Sequence, residues 1–305
     1  MTDLKLVFLG TSASVPTIRR GLSSVAILRE GEVILFDAGE GVQRSFQKAK
    51  IGFNHKMKIC ITHLHGDHCL GLLGLIQTMS MVDRNKLLTI YGPRGIIGFL
   101  KNNIKSLKFG LTFPLQINVV REGVVLKEKD YVIRACHGKH HITNFAYALE
   151  ENDRPGIFDP EAAKKLKIPK GILWSKLQDG EAVEINNKII YPHLVLGPSR
   201  SGRKIVISGD TRSTLKLVRF IARADLAVLE STYFDDHEDK AKENLHMTAR
   251  EAAEMASAAG VNQLVLTHFS SRYDNLEPYL SQASDIHPNL VVAEDFLVLN
   301  VEYPD

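Results

Sequence analysis

Residues 62–68 read THLHGDH, a cluster of three imidazoles and one carboxylate directly after an apolar run. Core packing does not require so many coordinating groups in so few positions. On a turn that leaves a strand, alternate residues face one side, so His63 and His65 can hold one ion while Asp67 and His68 reach a second. These ligand types suit zinc, and manganese or iron would also accept them. The cluster therefore predicts a metal centre at the end of a strand.

Four side chains do not complete two metal sites, so further ligands must come from other strand ends. Asp210 follows a strand-like run, and an aspartate there can bridge two ions about 3.5 to 4 Å apart. His268 ends another such run. Taken alone, Asp210 could instead cap the following helix, and His268 could be a surface residue. A further ligand can come from His137, His140 or His141, and their spacing does not select among them.

Short apolar runs alternate with helical patterns in both halves of the chain, which is typical of an α/β protein. The 305 residues suffice for a large core. Two similar halves predict a sandwich whose two sheets share one core. Strands are predicted at 4–9, 25–28, 33–36, 58–62, 88–91, 204–208, 226–230 and 263–267, and helices at 41–49, from about 68, after 93, and at 213–224 and 248–259.

Composition narrows the cellular setting. The apolar share is 44%, and we find no run of eighteen apolar residues, so we expect a protein that does not cross a membrane. The start has no basic segment followed by a cleavable apolar one. Three cysteines without C-x-x-C spacing fit a reducing compartment, and we expect a cytoplasmic protein. Because the net charge is only +3, nucleic-acid binding requires a local basic patch.

The regular pattern stops over residues 150–192, where prolines and glycines lie among charged residues. We interpret this segment as an insertion, and a long surface loop is the simpler alternative. Its positive charge comes from Lys164, Lys165, Lys167 and Lys170, although acidic residues precede them. The alternative interpretation is that these lysines simply lie on a solvated face of a helix.

The metal cluster, with the later histidines and Asp210, resembles the metallo-β-lactamase superfamily. Six further blocks lie along the chain: FLGTSASVP (8–16), FDAGEG (36–41), GDTR (209–212), ESTY (230–233), HMTA (246–249) and HFSSRY (268–273). Through these blocks the chain closely resembles the tRNase Z family of that superfamily over nearly its whole length. The resemblance implies a single domain over 1–305, an αβ/βα four-layer sandwich with an inserted arm at 150–192 that binds tRNA. It also implies a zinc-dependent endoribonuclease that removes the 3′ trailer from precursor tRNA.

The resemblance also selects among the histidines. In the family the ligand stands seven residues before a tyrosine, here Tyr147, which implies His140; His137 and His141 remain possible substitutes. Two Zn²⁺ per subunit are implied, with Mn²⁺ as an alternative. One ion would take His63, His65 and His140, the other would take Asp67, His68 and His268, and Asp210 would bridge them.

Cleavage that leaves a 3′-hydroxyl needs an in-line nucleophile, which a hydroxide held between two divalent ions supplies. Asp67 could both bind an ion and accept the proton of that nucleophile. We expect Glu230 to orient His246, which would protonate the leaving oxygen. Without the resemblance, Glu230 would be an ordinary strand-end acid and His246 a residue before a helix.

Substrate binding requires donors for neighbouring phosphates. Arg200, Arg203 and Lys204 precede the Asp210 strand and could clamp the RNA backbone, although a solvated hairpin turn is the alternative. The resemblance implies that the inserted arm grips precursor tRNA, and that the protein is a homodimer in which one subunit's arm serves the other's site.

Three rival functions remain open at this point. A hydrolase of the same fold could act on small phosphodiesters instead of RNA. A di-iron oxidoreductase is disfavoured, because flavodiiron proteins typically have glutamate where this chain has His65 and no flavodoxin-like domain follows. A catalytically inactive RNA-binding module is disfavoured by the complete set of ligands.

Overall fold

The computed structural model describes residues 3–304, and within them two seven-stranded sheets form the centre of the protein. The strands are β1 (Leu4–Gly10), β2 (Ser12–Ala13), β3 (Ser24–Arg29), β4 (Glu32–Phe36), β5 (Lys56–Cys60), β6 (Leu88–Gly92), β7 (Leu115–Val119), β8 (Gly123–Lys127), β9 (Tyr131–His137), β10 (Phe145–Glu151), β11 (Val183–Ile185), β12 (Lys188–Ile190), β13 (Lys204–Ile207), β14 (Leu226–Glu230), β15 (Gln263–Thr267), β16 (Phe269–Ser270), β17 (Leu290–Val292) and β18 (Val298–Asn300). The α-helices are α1 (Val42–Lys48), α2 (Gly66–Cys69), α3 (Gly71–Met81), α4 (Ile96–Leu107), α5 (Pro160–Lys165), α6 (Ile172–Gln178), α7 (Leu215–Ile221), α8 (Glu238–Glu243), α9 (Ala249–Ala258) and α10 (Glu277–Ala283).

Parallel strands occupy one half of each sheet, from the central strand to one edge. The first sheet runs β18-β1-β3-β4-β5-β6-β7 and the second runs β17-β15-β14-β13-β10-β9-β8. Strands β4 to β7 are parallel to one another, as are β13, β14, β15 and β17. The carboxyl ends of parallel strands meet at one edge of a sheet, so the segments that follow them gather there.

Alternating side chains divide the apolar residues into layers. Along β1, Leu6 and Phe8 belong to a core that both sheets share, whereas Val7 and Leu9 pack with residues of α1, α3 and α4. In the second sheet, residues of alternate faces pack into the shared core or against α7, α9 and α10. Each fully buried aliphatic or aromatic side chain contributes about 1.5 to 3 kcal/mol of hydrophobic stabilisation. The predicted four-layer sandwich with one shared core is confirmed.

The contacts of the chain divide it into two units. One comprises the chain as far as Glu150 and then Lys204–Glu302; the other comprises Glu151–Arg203 and the residues from Tyr303 onward. The second unit begins and ends in two antiparallel segments, 151–158 and 196–203, joined by bridges at Arg154–Arg200 and Phe158–Leu196. We call these segments the stalk and residues 159–195 the tip.

The tip is not the irregular surface loop that its prolines and glycines suggested. It contains α5, α6 and the β11–β12 hairpin around a small apolar core that includes Leu177 and Val183. The Asp159 side chain caps α5 by accepting hydrogen bonds from two backbone amides, at 2.9 and 3.0 Å. Trp174 packs against Phe158 and donates to the carbonyl of Ile168 at 3.0 Å, so its indole stabilises the tip.

No helix within residues 3–304 combines the length and the apolar character that crossing a bilayer would require.

Candidate metal centre

The ends of parallel strands bring the predicted ligands together in the first unit. His63 comes shortly after β5, Asp210 after β13 and His268 directly after β15, while His140 lies in the loop between β9 and β10. This loop is held against the segment after β13, because Asn144 donates to the carbonyl of Asp210 at 2.7 Å. Residues that are far apart in the sequence thus meet at one edge of the sandwich.

The first ligand set consists of His63, His65, His140 and Asp210, whose coordinating atoms lie within 4.8 Å of one another. His65 Nδ1 lies 3.1 Å from His63 Nε2 and 3.2 Å from His140 Nε2. Oδ2 of Asp210 lies 3.5 Å from His63 Nε2 and 4.0 Å from His140 Nε2. Ligands placed tetrahedrally at the usual zinc distance are about 3.3 Å apart, so the spacing suits one ion.

The second ligand set consists of Asp67, His68, His268 and again Asp210. Nε2 of His68 and Nε2 of His268 are 3.2 Å apart. Oδ1 of Asp210 lies 3.3 Å from His68 Nε2 and 3.2 Å from His268 Nε2, and Oδ2 of Asp67 lies 3.6 and 3.5 Å from the same two atoms. The spacing again suits one ion.

The carboxylate of Asp210 belongs to both sets, with Oδ2 directed to the first and Oδ1 to the second. Oδ1 is buried and has no hydrogen-bond partner. An unpaired buried acceptor costs stability, and a cation would remove that cost. The donor types, their spacing and this orphaned oxygen therefore fit two divalent cations on either side of Asp210.

Hydrogen bonds to the outer nitrogens orient two of the imidazoles. Nδ1 of His68 lies 2.7 Å from Oδ2 of Asp37, and Nδ1 of His63 lies 2.9 Å from the Thr62 hydroxyl. That hydroxyl donates to Asp37 at 2.9 Å, so it accepts from His63. Both imidazoles therefore carry their proton on Nδ1 and direct the lone pair of Nε2 towards the centre.

Two further imidazoles are held in the same way. Nδ1 of His268 lies 2.9 Å from the Thr232 hydroxyl, and Nδ1 of His140 lies 3.3 Å from the carbonyl of Leu245.

Asp37 and His268 both have a left-handed backbone, with φ of 59° and 62°. This conformation costs a residue other than glycine roughly 1 to 2 kcal/mol, and it occurs where the surrounding structure imposes it.

The electrostatics of the centre favour neutral imidazoles beside ionised carboxylates. Burial lowers the pKa of His63, His65 and His140 below the ordinary value, which keeps their lone pairs available. Burial also lowers the pKa of His68, but Asp210 and Asp37 outweigh it and raise that pKa well above its usual range. A cation at Nε2 of His68 would occupy the position of that proton.

Next to the second ligand set, Glu230 and His246 form a hydrogen-bonded pair. Oε1 of Glu230 lies 2.9 Å from Nδ1 of His246, and it also accepts from the backbone amide of Thr211 at 2.9 Å. Arg212 donates to the carbonyl of His246 at 2.7 Å and pairs with Glu251, whose side chain caps α9. Glu230 thus orients the ring of His246 and Arg212 holds its backbone, with Nε2 of the ring left to donate.

Glu230, His246 and His268 also lie close enough to hold an ion. The hydroxyl of Thr232 lies between them, 2.8 Å from Oε2 of Glu230, 3.2 Å from Nδ1 of His246 and 2.9 Å from Nδ1 of His268. Because this hydroxyl fills the space among the three groups, we interpret them as a hydrogen-bonded network and not as a third metal site.

Two histidines that the sequence offered as possible ligands lie outside the centre, and two residues of the centre were not predicted. The structure brings neither His137, which is exposed and packs on Phe145, nor the exposed His141 into either ligand set. Sequence reasoning did not single out Asp37 or Thr232 as site residues. Both occupy the same sheet edge as the ligands, since Asp37 follows β4 and Thr232 follows β14, and this position was the available signal.

Two of the three cations of the predicted phosphate clamp bind partners within the protein. The guanidinium of Arg203 is buried and binds the carboxylate of Glu151 at 2.7 and 2.9 Å. Lys204 donates to two backbone carbonyls, at 2.7 and 3.1 Å. It also begins β13, whereas Asp210 follows the other end of that strand. Of the three, only Arg200 is exposed, and its Nε donates to the carbonyl of Pro155 at 3.1 Å.

The predicted arm lysines all lie in the tip and are exposed: Lys164, Lys165, Lys167 and Lys170. Lys164 pairs with Glu161 at 2.6 Å. Exposed side chains of this kind can reach a phosphate backbone.

Comparison with known proteins shows similarity over nearly the whole chain. A family profile described as "Beta-lactamase superfamily domain" matches residues 193–269, and one described as "Anti-Pycsar protein Apyc1" matches residues 4–152. Ribonuclease Z of Nitrosopumilus maritimus is 49% identical over 299 residues, which cover 98% of this chain and 100% of the relative. Ribonuclease Z of Methanosarcina acetivorans is 42% identical, covering 98% and 99%. The crystal structure of the short form of human tRNase Z is similar with a TM-score of 0.72 at 29% identity, covering 98% and 99%.

Proposed function

This chain belongs to the ribonuclease Z family and is an endoribonuclease of tRNA 3′ processing; from that premise we propose that a pair of zinc ions and the residues around them make the cut. The observation that carries the proposal is the position of Asp210, whose two oxygens face two separate ligand sets. This arrangement is typical of two-metal sites that cleave phosphodiesters.

In the proposed reaction, two carboxylates and one imidazole of the chain move or hold protons. When bound, the ions would lower the pKa of a water molecule towards about 7 and neutralise the scissile phosphate. Burial raises the pKa of Asp67, but His268 and His68 outweigh it and hold it well below its usual range, so the side chain is ionised. As an ionised carboxylate beside the second ligand set, Asp67 is our proposed acceptor for the proton of the attacking water. The 3′-oxygen departs on the opposite side. His246, oriented by Glu230, protonates it and yields the 3′-hydroxyl.

The function is tested by incubating the protein with a precursor tRNA that carries a 3′ trailer, with and without chelator, and mapping the cut. We expect one cut at the end of the tRNA that leaves a 3′-hydroxyl, and no cut with chelator. Bis(p-nitrophenyl) phosphate serves as the comparison substrate. Hydrolysis of this ester without cleavage of the precursor would contradict the proposal and favour a small-molecule phosphodiesterase.

We propose that the stalk and tip form the arm that holds precursor tRNA. The exposed lysines of the tip and Arg200 of the stalk support this role. The test replaces residues 159–195 by a short glycine-serine turn, because the bridge between Phe158 and Leu196 keeps the two ends close. We expect weaker cleavage of precursor tRNA and unchanged hydrolysis of the small ester. Equal losses on both substrates would contradict the role.

Zinc is our proposal for the native metal, with two ions in each subunit. The six ligands besides the bridging Asp210 include five imidazoles, a donor type that zinc accepts readily. Elemental analysis of the purified protein is the test, and we expect two zinc ions per chain. Stoichiometric manganese, or one ion per chain, would overturn this assignment.

We further propose a homodimer in which the arm of one subunit serves the centre of its partner. Exposed apolar side chains such as Met81, at 77%, and Val82, at 52%, provide surface that association could cover. Light scattering should give twice the mass of the chain. Mixing H246A subunits with subunits that lack residues 159–195 should restore about a quarter of wild-type activity, since half the dimers are mixed and each holds one complete site. If the mixture does not regain activity, the arm of one subunit does not act at the centre of its partner.

For localisation we propose the cytoplasm. Cys60, Cys69 and Cys136 are buried thiols without a disulfide, which suits a reducing compartment. Cell fractionation tests this proposal, and recovery from an exported fraction would contradict it.

A further inference from the structure

The two antiparallel segments of the stalk, which we also call its strands, are hydrogen-bonded to each other where the second unit begins and ends. The backbone amide of Glu151 donates to the carbonyl of Arg203 at 2.9 Å, and the amides of Arg154 and Arg200 donate to each other's carbonyls at 2.7 and 3.0 Å. The side chains of Glu151 and Arg203 form a bidentate ion pair. Only 3% and 2% of these two side chains is exposed, so solvent screens the pair little.

A third segment, distant in sequence, lies against this base. The ring centroid of Tyr303 is 3.7 Å from Cζ of Arg154 and 3.9 Å from Cζ of Arg203. Arg154 also donates to the carbonyl of Pro304 at 3.1 Å and to that of Ser201 at 3.2 Å. One aromatic ring therefore contacts a guanidinium from each strand of the stalk.

These contacts add packing that stabilises the two strands of the stalk. A ribbon of two strands is marginally stable in water without further packing. The face of an aromatic ring attracts cations, and the attraction is stronger where water is excluded, as it is around Arg203. The Tyr303 ring thus helps to hold two guanidinium groups at the base of the stalk and joins its two strands from the side.

We propose that Tyr303 is a positioning residue for substrate binding, which acts by keeping the two strands of the stalk together so that the tip has an ordered base. The proposal rests on the proposed role of the arm in holding precursor tRNA. It assigns Tyr303 no contact with the RNA and no part in the chemical step. Loss of the Tyr303 ring should weaken the binding of precursor tRNA and leave the metal centre intact.

The test compares Tyr303→Leu with Tyr303→Phe, which keeps the ring and removes only the hydroxyl. For Tyr303→Leu we expect the KM for precursor tRNA to rise about 3- to 30-fold, the range that loss of such a ring–cation contact implies. The kcat, the zinc content and hydrolysis of bis(p-nitrophenyl) phosphate should not change. Tyr303→Phe should behave as the wild type.

Hydrogen exchange provides a readout that does not depend on cleavage. Amides of the stalk, in 151–154 and 200–203, should exchange faster in Tyr303→Leu than in Tyr303→Phe, whereas exchange around His63 should not change. Unchanged exchange in the stalk would overturn the proposal, as would an equal loss of activity in both variants.

The variant that lacks residues 159–195 separates this proposal from the role of the arm. If that variant cleaves precursor tRNA normally, the role of the arm is wrong. If it cleaves poorly while Tyr303→Leu keeps the wild-type KM, only the proposal for Tyr303 is wrong.

Discussion

Nδ1 of His246 lies 2.9 Å from Oε1 of Glu230. Burial lowers the pKa of this imidazole, but Glu230 outweighs burial and raises it to about 9. The ring is therefore protonated at neutral pH, as an acid that protonates a leaving oxygen must be, and it loses that proton as the pH rises through about 9.

The pair thus predicts the alkaline limb of the pH–rate profile. The kcat of the wild type should fall above a pH of about 9, and in Glu230→Gln the fall should begin at lower pH, because the carboxylate that raises the pKa of His246 is gone. The profile of kcat against pH for both proteins is the measurement. An alkaline limb at the same pH in both would show that the fall does not report His246.

Removing the acid should slow the reaction without affecting the metal. In His246→Ala we expect kcat to fall about 10²- to 10⁴-fold, the usual contribution of general acid catalysis. Zinc content should equal that of the wild type, because the ring belongs to neither ligand set that we assign. His55→Ala, an exposed histidine before β5, is the matched control. Undiminished turnover in His246→Ala would remove this residue from the mechanism.

The shared carboxylate predicts that both ions depend on one residue. Asp210→Ala removes a ligand from each set, so we expect zinc per chain to fall towards zero and cleavage to be lost. Elemental analysis after dialysis measures this, with Asp236→Ala, an exposed acid, as the control. If Asp210→Ala retained two ions, Asp210 would not be a bridge.

The hydroxyl of Thr232 predicts an effect on metal affinity by a residue that is not a ligand. It donates to Glu230 at 2.8 Å and accepts from His268, which fixes the imidazole with Nε2 facing the second set. Thr232→Val should weaken zinc binding about 10- to 100-fold, whereas Thr232→Ser should retain it. Competition with a chromogenic chelator measures the affinity. Equal weakening in both variants would point to packing instead of the hydrogen bond.

The sequence predicted the fold well because its signals are local. Apolar runs and helical periods placed the main strands and helices of the sandwich, and the resemblance to tRNase Z, which the comparisons confirm, fixed their arrangement. The tip was harder, since its helices span only six and seven residues and its prolines hide their pattern. Its small core depends on contacts between short segments, and no periodic pattern in the sequence predicts those contacts.

The sequence was misleading where a side chain depends on a distant partner. Arg203 seemed available for phosphate, but its carboxylate partner Glu151 is 52 residues away and its aromatic neighbour Tyr303 follows only at the end of the described chain. Thr232 was missed for a similar reason. Its role depends on His268, which lies 36 residues further on and becomes a neighbour only when β14 and β15 pair.

The ligands of the first set come from strand ends of both sheets, because His63 follows β5 in one sheet and Asp210 follows β13 in the other. A chain in which only one sheet has formed therefore holds half of a catalytic centre. Neither ligand set is complete until the two sheets have docked, because each set combines residues that follow strands of both sheets. Metal binding is therefore coupled to the docking of the two sheets.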